Sequence, residues 1–421
     1  MSLEKISGKI IITGLYIFFL LMIFQNLIKT YFKNEYLFVG YMLGVLLLLF
    51  IFVYILAKRI EIEICDLDWL IIFFIIVQLI WMIPNFYQYP KGAIMGLMYN
   101  IRNFFMPYAI IRLSIIGFRS QERLIKWMSF LIAIVAACGI YFFYFDVGML
   151  SSISAGGSLV GRRASSFLFT SLDTAFCSMI FGLIAFSYII EKNKVFGWIV
   201  KVFYLFVFLF SLILTFTRSA YLGFLAGFLS IIILYLIGRR INRKIAIIVI
   251  LIFLIAISII LFLLMDKTSP EFPSLVKRII ITDDSNTLAH IESNNEALKI
   301  FLKNPFGIGP GKSGWTVTKW QASEGTYIES SFLQVMVETG IVGIIVLIMI
   351  WVKILMISIS NYFKSKNPLF LGLFGATLGI IVASFFLPVY YYSTAMSFYW
   401  GLVAISMFFR NKDYRHSKIL R

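Results

Sequence analysis

Apolar runs of about 20 residues recur from one end of this chain to the other, separated by short polar turns. At roughly 1.5 Å per residue, such a run crosses ~30 Å of hydrocarbon as a helix. The pattern predicts about twelve spans, at residues 9–28, 36–57, 68–83, 92–116, 124–146, 167–190, 195–216, 218–237, 244–265, 329–359, 368–388 and 390–409. The third is short for a full crossing. A transmembrane barrel would show shorter segments of alternating polarity instead. The first run follows Lys5 and Lys9, is too long for a signal-peptide core, and has no small-residue cleavage site after it. It reads as a retained first helix.

One polar interval of any size interrupts this pattern, at residues 266–328. The organisation expected is helices one to nine over 1–265, a loop over 266–328, and helices ten to twelve with a tail over 329–421. Within the loop, 286–302 reads as an amphipathic helix with Leu288, Ile291, Ala297, Leu298 and Phe301 on its apolar face. Asn304 and Pro305 end it. A glycine-rich turn follows at Gly307, Gly309, Gly311 and Gly314.

Composition agrees with the spans. The chain is 61% hydrophobic and 14% charged, with a mean hydropathy of +0.94, which no soluble domain matches. The net charge of +17 does not point to nucleic acid. Lys58, Arg59, Arg119, Arg123, Lys126, Lys192, Lys194, Arg239, Arg240, Arg243, Lys244, Lys364, Lys366 and the basic tail all fall on one side of the membrane. By the positive-inside rule that side, with both termini, is the cytoplasm. The 266–328 loop is then external, and Tyr87, Tyr89, Tyr390, Tyr391 and Tyr392 sit at the external interface. Cys65, Cys138 and Cys177 form no disulfide framework, and with only His290 and His416 no metal centre or other cofactor is expected.

Chemistry is then sought among polar groups at or within the membrane, where ionisable side chains are costly. Arg102 lies near mid-depth of the fourth span, five residues before Pro107, which is expected to kink the helix. Arg112 is nearer the inner end and reads as snorkelling. Arg162 and Arg163 stand at the external start of the sixth span, and Arg218 at the tight external turn between spans seven and eight. Guanidinium groups bind phosphate oxygens bidentately, so an external cavity lined by Arg102, Arg163 and Arg218 suits a lipid diphosphate. Solvated or structurally paired arginines are the plain alternative.

Lys312, in GIGPGKSG, superficially matches a nucleotide-binding loop. That motif needs four residues between its glycines, and three separate Gly307 from Gly311. A contact from Lys312 to a phosphate or sugar remains open. Glu329 opens the tenth span, where the helix dipole favours its ionised form. Glu338 is about half a revolution further on, faces elsewhere, and reads as structural beside Gly340 and Gly343, a small-residue packing patch.

Two stretches, NPFGIGPG and ESSFLQVMVETGIVG, resemble the O-antigen ligase and polysaccharide polymerase superfamily. RASSF at 163–167 resembles its arginine-containing approach to a middle span, and FTRSA at 216–220 its Ser/Thr-Arg-small turn. The resemblance implies an all-α polytopic membrane protein of the GT-C-like glycosyltransferase kind, with a large external loop between helices nine and ten. It implies metal-independent, inverting transfer from an undecaprenyl-diphosphate-linked oligosaccharide, with Glu329 as base. Relatives of the ligase type have histidine where this chain has Glu329, which favours a polymerase acting on lipid-linked donor and acceptor. His290 falls where relatives often have arginine and is a candidate substrate contact. A flippase and a chain-length regulator are the expected partners, and the bacterial cytoplasmic membrane the expected location. A ligase acting on lipid A core or protein is one alternative. A transporter of lipid-linked sugars is another, but it would show repeated halves or a charged path to both faces.

Overall fold

The computed structural model describes residues 3–32, 39–58, 64–114, 118–145, 163–166, 168, 170–191, 195–239, 285–314, 317 and 326–419. They form helices α1 (Leu3–Tyr31), α2 (Val39–Lys58), α3 (Asp66–Gln88), α4 (Pro90–Leu113), α5 (Phe118–Phe145), α6 (Ser171–Ile190), α7 (Trp198–Leu214), α8 (Arg218–Arg239), α9 (Ser285–Lys303), α10 (Ser331–Ser365), α11 (Pro368–Ser384) and α12 (Ser393–Ile419). A short 3₁₀ turn, Val389–Tyr391, joins the last two. Among the described residues seven helices are long and apolar enough to cross a membrane, and α7, α11 and the first part of α12 are shorter apolar helices. The chain is a polytopic helical membrane protein. The expected span at 244–265 lies outside the described residues.

Local chemistry sets the helix ends. Thr170 caps α6 by accepting from the Asp173 amide at 3.1 Å, and Asn367 caps α11 through the Leu369 amide at 3.0 Å, with Pro368 in the first position. α9 stops at Asn304 and Pro305 as expected. The third span is longer than the pattern indicates: α3 continues through Pro84 to Gln88, because the loop described below takes up its far end.

The core is a continuous apolar cluster shared by all the spans. α6 is buried along almost its whole length and packs against α7, α8, α11 and α12. α8 and α11 approach most closely. A side chain at Gly223 or Gly227 would strike the backbone of Gly379 or Gly375, so these paired Gly-x-x-x-Gly runs let two backbones touch.

Polar groups collect at the two ends. At one end Asp68 accepts from Tyr108 at 2.7 Å and Arg112 at 3.2 Å, and the Tyr362 hydroxyl donates to Glu191 at 2.5 Å. Arg112 therefore forms a largely buried ion pair where a snorkelling side chain was expected, because α3 supplies a partner. The opposite end carries residues 304–314 and 326–330 and every candidate site residue that the structure describes in full.

α9 also differs from its expected face. Ala297, Ile300 and Phe301 pack toward Ile308, Ile328, Leu333 and Val337, whereas Ile291 and Leu298 are exposed. The apolar arc is wider than the surface α9 packs on. The side chain of Leu288 is not among those described.

Candidate active site

The glycine turn is a buckle across three helices. Its backbone lies on a break in α10 at Gly340, where φ is 65° and ψ −161°. Ile308 and Gly309 donate to the carbonyls of Val337 and Glu338 at 2.9 and 2.8 Å, and the Ile341 amide donates to Pro305 at 2.9 Å. On the other side the Trp81 indole donates to the Phe306 carbonyl and Asn85 to the Pro310 carbonyl at 3.3 Å. Gly307, Gly309, Gly311 and Gly314 all have positive φ. At Gly309 and Gly311 any side chain would also meet α3 or the start of α4, so glycine is required for both conformation and space.

Glu338 holds the buckle closed. It is fully buried, and its carboxylate accepts from the Gly311 amide at 3.0 Å, the Ser313 hydroxyl at 2.9 Å and the Asn100 amide at 3.0 Å. Asn100 also donates to Gln78 at 3.2 Å. One carboxylate thus ties the loop, α4 and α10 together, and Arg102 lies two residues beyond Asn100. Gly340 is the helix break itself, and the close approach it permits is to the Pro305–Phe306 backbone of the loop instead of to another helix. Lys312 is engaged by the same structure, donating to Gln88 at the end of α3 at 3.2 Å.

Glu329 lies two residues before the start of α10. The cap is Ser330, whose hydroxyl accepts from the Leu333 amide at 3.3 Å and donates to the Ser384 carbonyl at 3.1 Å. The glutamate therefore precedes the cap instead of occupying the first turn. Its neighbours are held firmly: Ile328 is fully buried, and the Ser331 hydroxyl donates to Leu387 and accepts from the Tyr390 amide. Glu329 itself is partly buried.

The tyrosines at 390–392 connect these parts. Tyr391 accepts a hydrogen bond from Gln334, and its ring packs edge-on to Tyr99 at 5.4 Å. Tyr99 and Tyr41 take the Arg102 guanidinium between them, at 4.8 and 4.3 Å from their centroids, a cation–π arrangement. Tyr392 stacks on Phe176 of α6. Burial pushes its phenol well above the ordinary range, Tyr327 and Asp173 add to the shift, and the positive charge of Arg163 opposes it. The Ala164 amide, next in sequence to Arg163, donates to the Leu214 carbonyl at 2.8 Å, which ties the Arg163 segment to the turn that carries Arg218. The structure thus sets Arg102 among Tyr41, Tyr99 and Tyr391, and the Ser331 bonds to Leu387 and Tyr390 bring the segment after Glu329 to the same turn.

Arg162 lies outside the described residues. His290 belongs to α9, but its side chain is not among those described. The residues least legible in the sequence are Glu338, Asn100 and Asp173. Asp173 is buried in the first turn of α6 and accepts from the Ala395 amide of α12 at 2.8 Å, fixing the helix that follows the tyrosines. A buried carboxylate in an apolar helix is the signal that Glu338 and Asp173 share, and Asn100 carries no such signal.

No curated protein matches the chain. Residues 203–348 match the family described as O-antigen ligase. The matched stretch runs from α7 into α10 and includes Arg218, the glycine buckle, Glu329 and Glu338. The match covers 146 of the 421 residues, and over that stretch the chain is similar to the O-antigen ligase family.

Proposed function

We propose that this chain is a polysaccharide polymerase that joins oligosaccharide repeats carried on undecaprenyl diphosphate, at the external face of a bacterial cytoplasmic membrane. The observation that carries this reading is the tyrosine cluster. Arg102 lies against Tyr99, whose ring meets Tyr391, and the Ser331 bonds to Leu387 and the Tyr390 amide hold the segment bearing Glu329 on the same turn, which supports this reading. Arginines there suit a diphosphate, and the apolar helix faces suit its lipid tail. Membrane glycosyl transfer of the ligase or polymerase type is the coarser statement that the family match supports.

In the proposed reaction Glu329 accepts the proton of the acceptor sugar hydroxyl. The acceptor oxygen forms its bond to the donor anomeric carbon from the side opposite the diphosphate. The carbon–oxygen bond to the diphosphate breaks, and the electron pair leaves with it. Arg102, Arg163 and Arg218 stabilise the charge that develops there. The anomeric centre inverts, no general acid is required, and no metal or other cofactor takes part. Histidine is replaced by Glu329 at the base position of ligase-type relatives, which favours the polymerase branch. A flippase and a chain-length regulator of the same pathway are the expected partners.

The test is elongation of a lipid-diphosphate-linked repeat by purified protein in chelator, without nucleotide. Wild type should give a ladder, and Glu329→Gln and Arg218→Ala should give none while remaining folded. A normal ladder from Glu329→Gln sinks the mechanism. Transfer of polymer to lipid A core or protein without elongation would assign the ligase activity instead, and movement of the lipid across vesicles without elongation a transporter.

A further inference from the structure

We propose that α9 is a membrane-surface helix whose exposed apolar stripe rests in the lipid leaflet at the loop-bearing end. The inference is independent of the chemistry above. At about 100° per residue, α9 has three faces. Ala297, Ile300 and Phe301 turn inward onto Ile328 and Val337. Glu292, Glu296, Lys299 and Lys303 form a second, charged face. Ile291, Leu298 and Leu302 form a third, which is apolar and open, with Leu302 76% exposed.

What covers the third face is indicated by what it joins. One turn past Leu302 stands Phe306, 68% exposed, with its backbone on the α10 break and its carbonyl bonded to Trp81 of α3. Directly beyond lie Ile341 and Ile345 of α10 and Ile80 and Ile83 of α3, all exposed. Those two helices are membrane spans, so their exposed side chains face hydrocarbon. The stripe on α9 continues that surface past the helix ends. A helix with one face on protein, one toward water and one joined to the lipid-facing wall lies where those three phases meet. Lysines flanking the apolar face suit lipid phosphates, as in other interfacial helices.

The experiment uses the full chain with Cys65, Cys138 and Cys177 replaced by alanine. Single nitroxide labels are placed at positions 292, 298, 299 and 302, one protein per nanodisc of phosphatidylethanolamine and phosphatidylglycerol. Collision with oxygen reports lipid, and collision with a nickel chelate reports water. Labels at 298 and 302 should favour oxygen severalfold over those at 292 and 299. Equal nickel accessibility at all four positions would overturn the proposal, because the stripe would then lie in water. Protection from both reagents at 298 and 302 would overturn it too, by assigning the stripe to another part of the chain. Leu298→Glu with Leu302→Glu, checked for unaltered thermal unfolding, should move α9 labels into nickel-accessible water. No movement in that folded variant would also overturn it.

Discussion

Glu338 is surrounded by donors: an amide and a hydroxyl from the loop, a side-chain amide from α4, and the Gln334 side chain one turn back along α10. Glu338→Ala would remove the acceptor they share, at on the order of 1–3 kcal/mol for each buried donor left unsatisfied. Its thermal midpoint in detergent should fall sharply. Glu338→Gln keeps one acceptor oxygen for Gly311 and Ser313, and its new NH₂ can be met if the Asn100 and Gln78 amides both turn over. It should therefore lose much less. Equal losses in the two variants would show that the carboxylate is not the element that closes the buckle. At Glu329 the expectation is the reverse: Glu329→Gln should keep its thermal midpoint and lose elongation, because the neighbouring bonds from Ser330 and Ser331 hold the segment without it. A helical wheel drawn through residue 340 turns Glu338 away from Glu329, yet the Gln334 side chain reaches both the Glu338 carboxylate and the Tyr391 hydroxyl. What a wheel cannot show is the loop that comes to meet Glu338 from residues 304–314, since that contact joins positions far apart in sequence.

Among the elements, the glycine turn has the least freedom. Gly309 has φ +88° and sits against Trp81 and Asn85 of α3. Gly309→Ala should cost about 1–3 kcal/mol from backbone strain alone, and more from the collision. Gly197 has open space around it, and Gly197→Ala should stay within about 1 kcal/mol. A comparison of melting temperatures checks both, and a silent Gly309→Ala would mean that the turn is not seated on α3. Spans were legible because apolar run length is a local property that lipid imposes directly. The far end of α3 was less so, since Pro84 reads as a stop until the buckle that engages Trp81, Asn85 and Gln88 is known. The faces of α9 were legible only in part: periodicity marks which residues are apolar, but not which of them meet protein.

The whole molecule separates two polar ends by an apolar core. Asp68→Ala removes one side of a largely buried ion pair with Arg112, a loss of about 3–5 kcal/mol for such pairs. It lies at the end away from the tyrosine cluster, so the protein that remains folded should elongate glycan at the normal rate per folded molecule. A rate that falls with Asp68→Ala beyond the loss of folded protein would show the two ends to be coupled. Basic loops and arginines of the candidate site were expected at opposite faces, and Arg59, Lys192, Lys194, Arg240, Arg243 and Lys244 lie outside the described residues. The contact between α8 and α11 sets a timetable as well as a shape. Its two glycine pairs stand at 223–227 and 375–379, so α8 leaves the ribosome long before its partner exists. Until α11 is made, the groove on α8 has only lipid to fill it, and the helix that begins with Arg218 is not yet locked in place. Assembly of the site therefore waits on nearly the last span to be synthesised, and a nascent chain halted before residue 375 should be a target for membrane proteases.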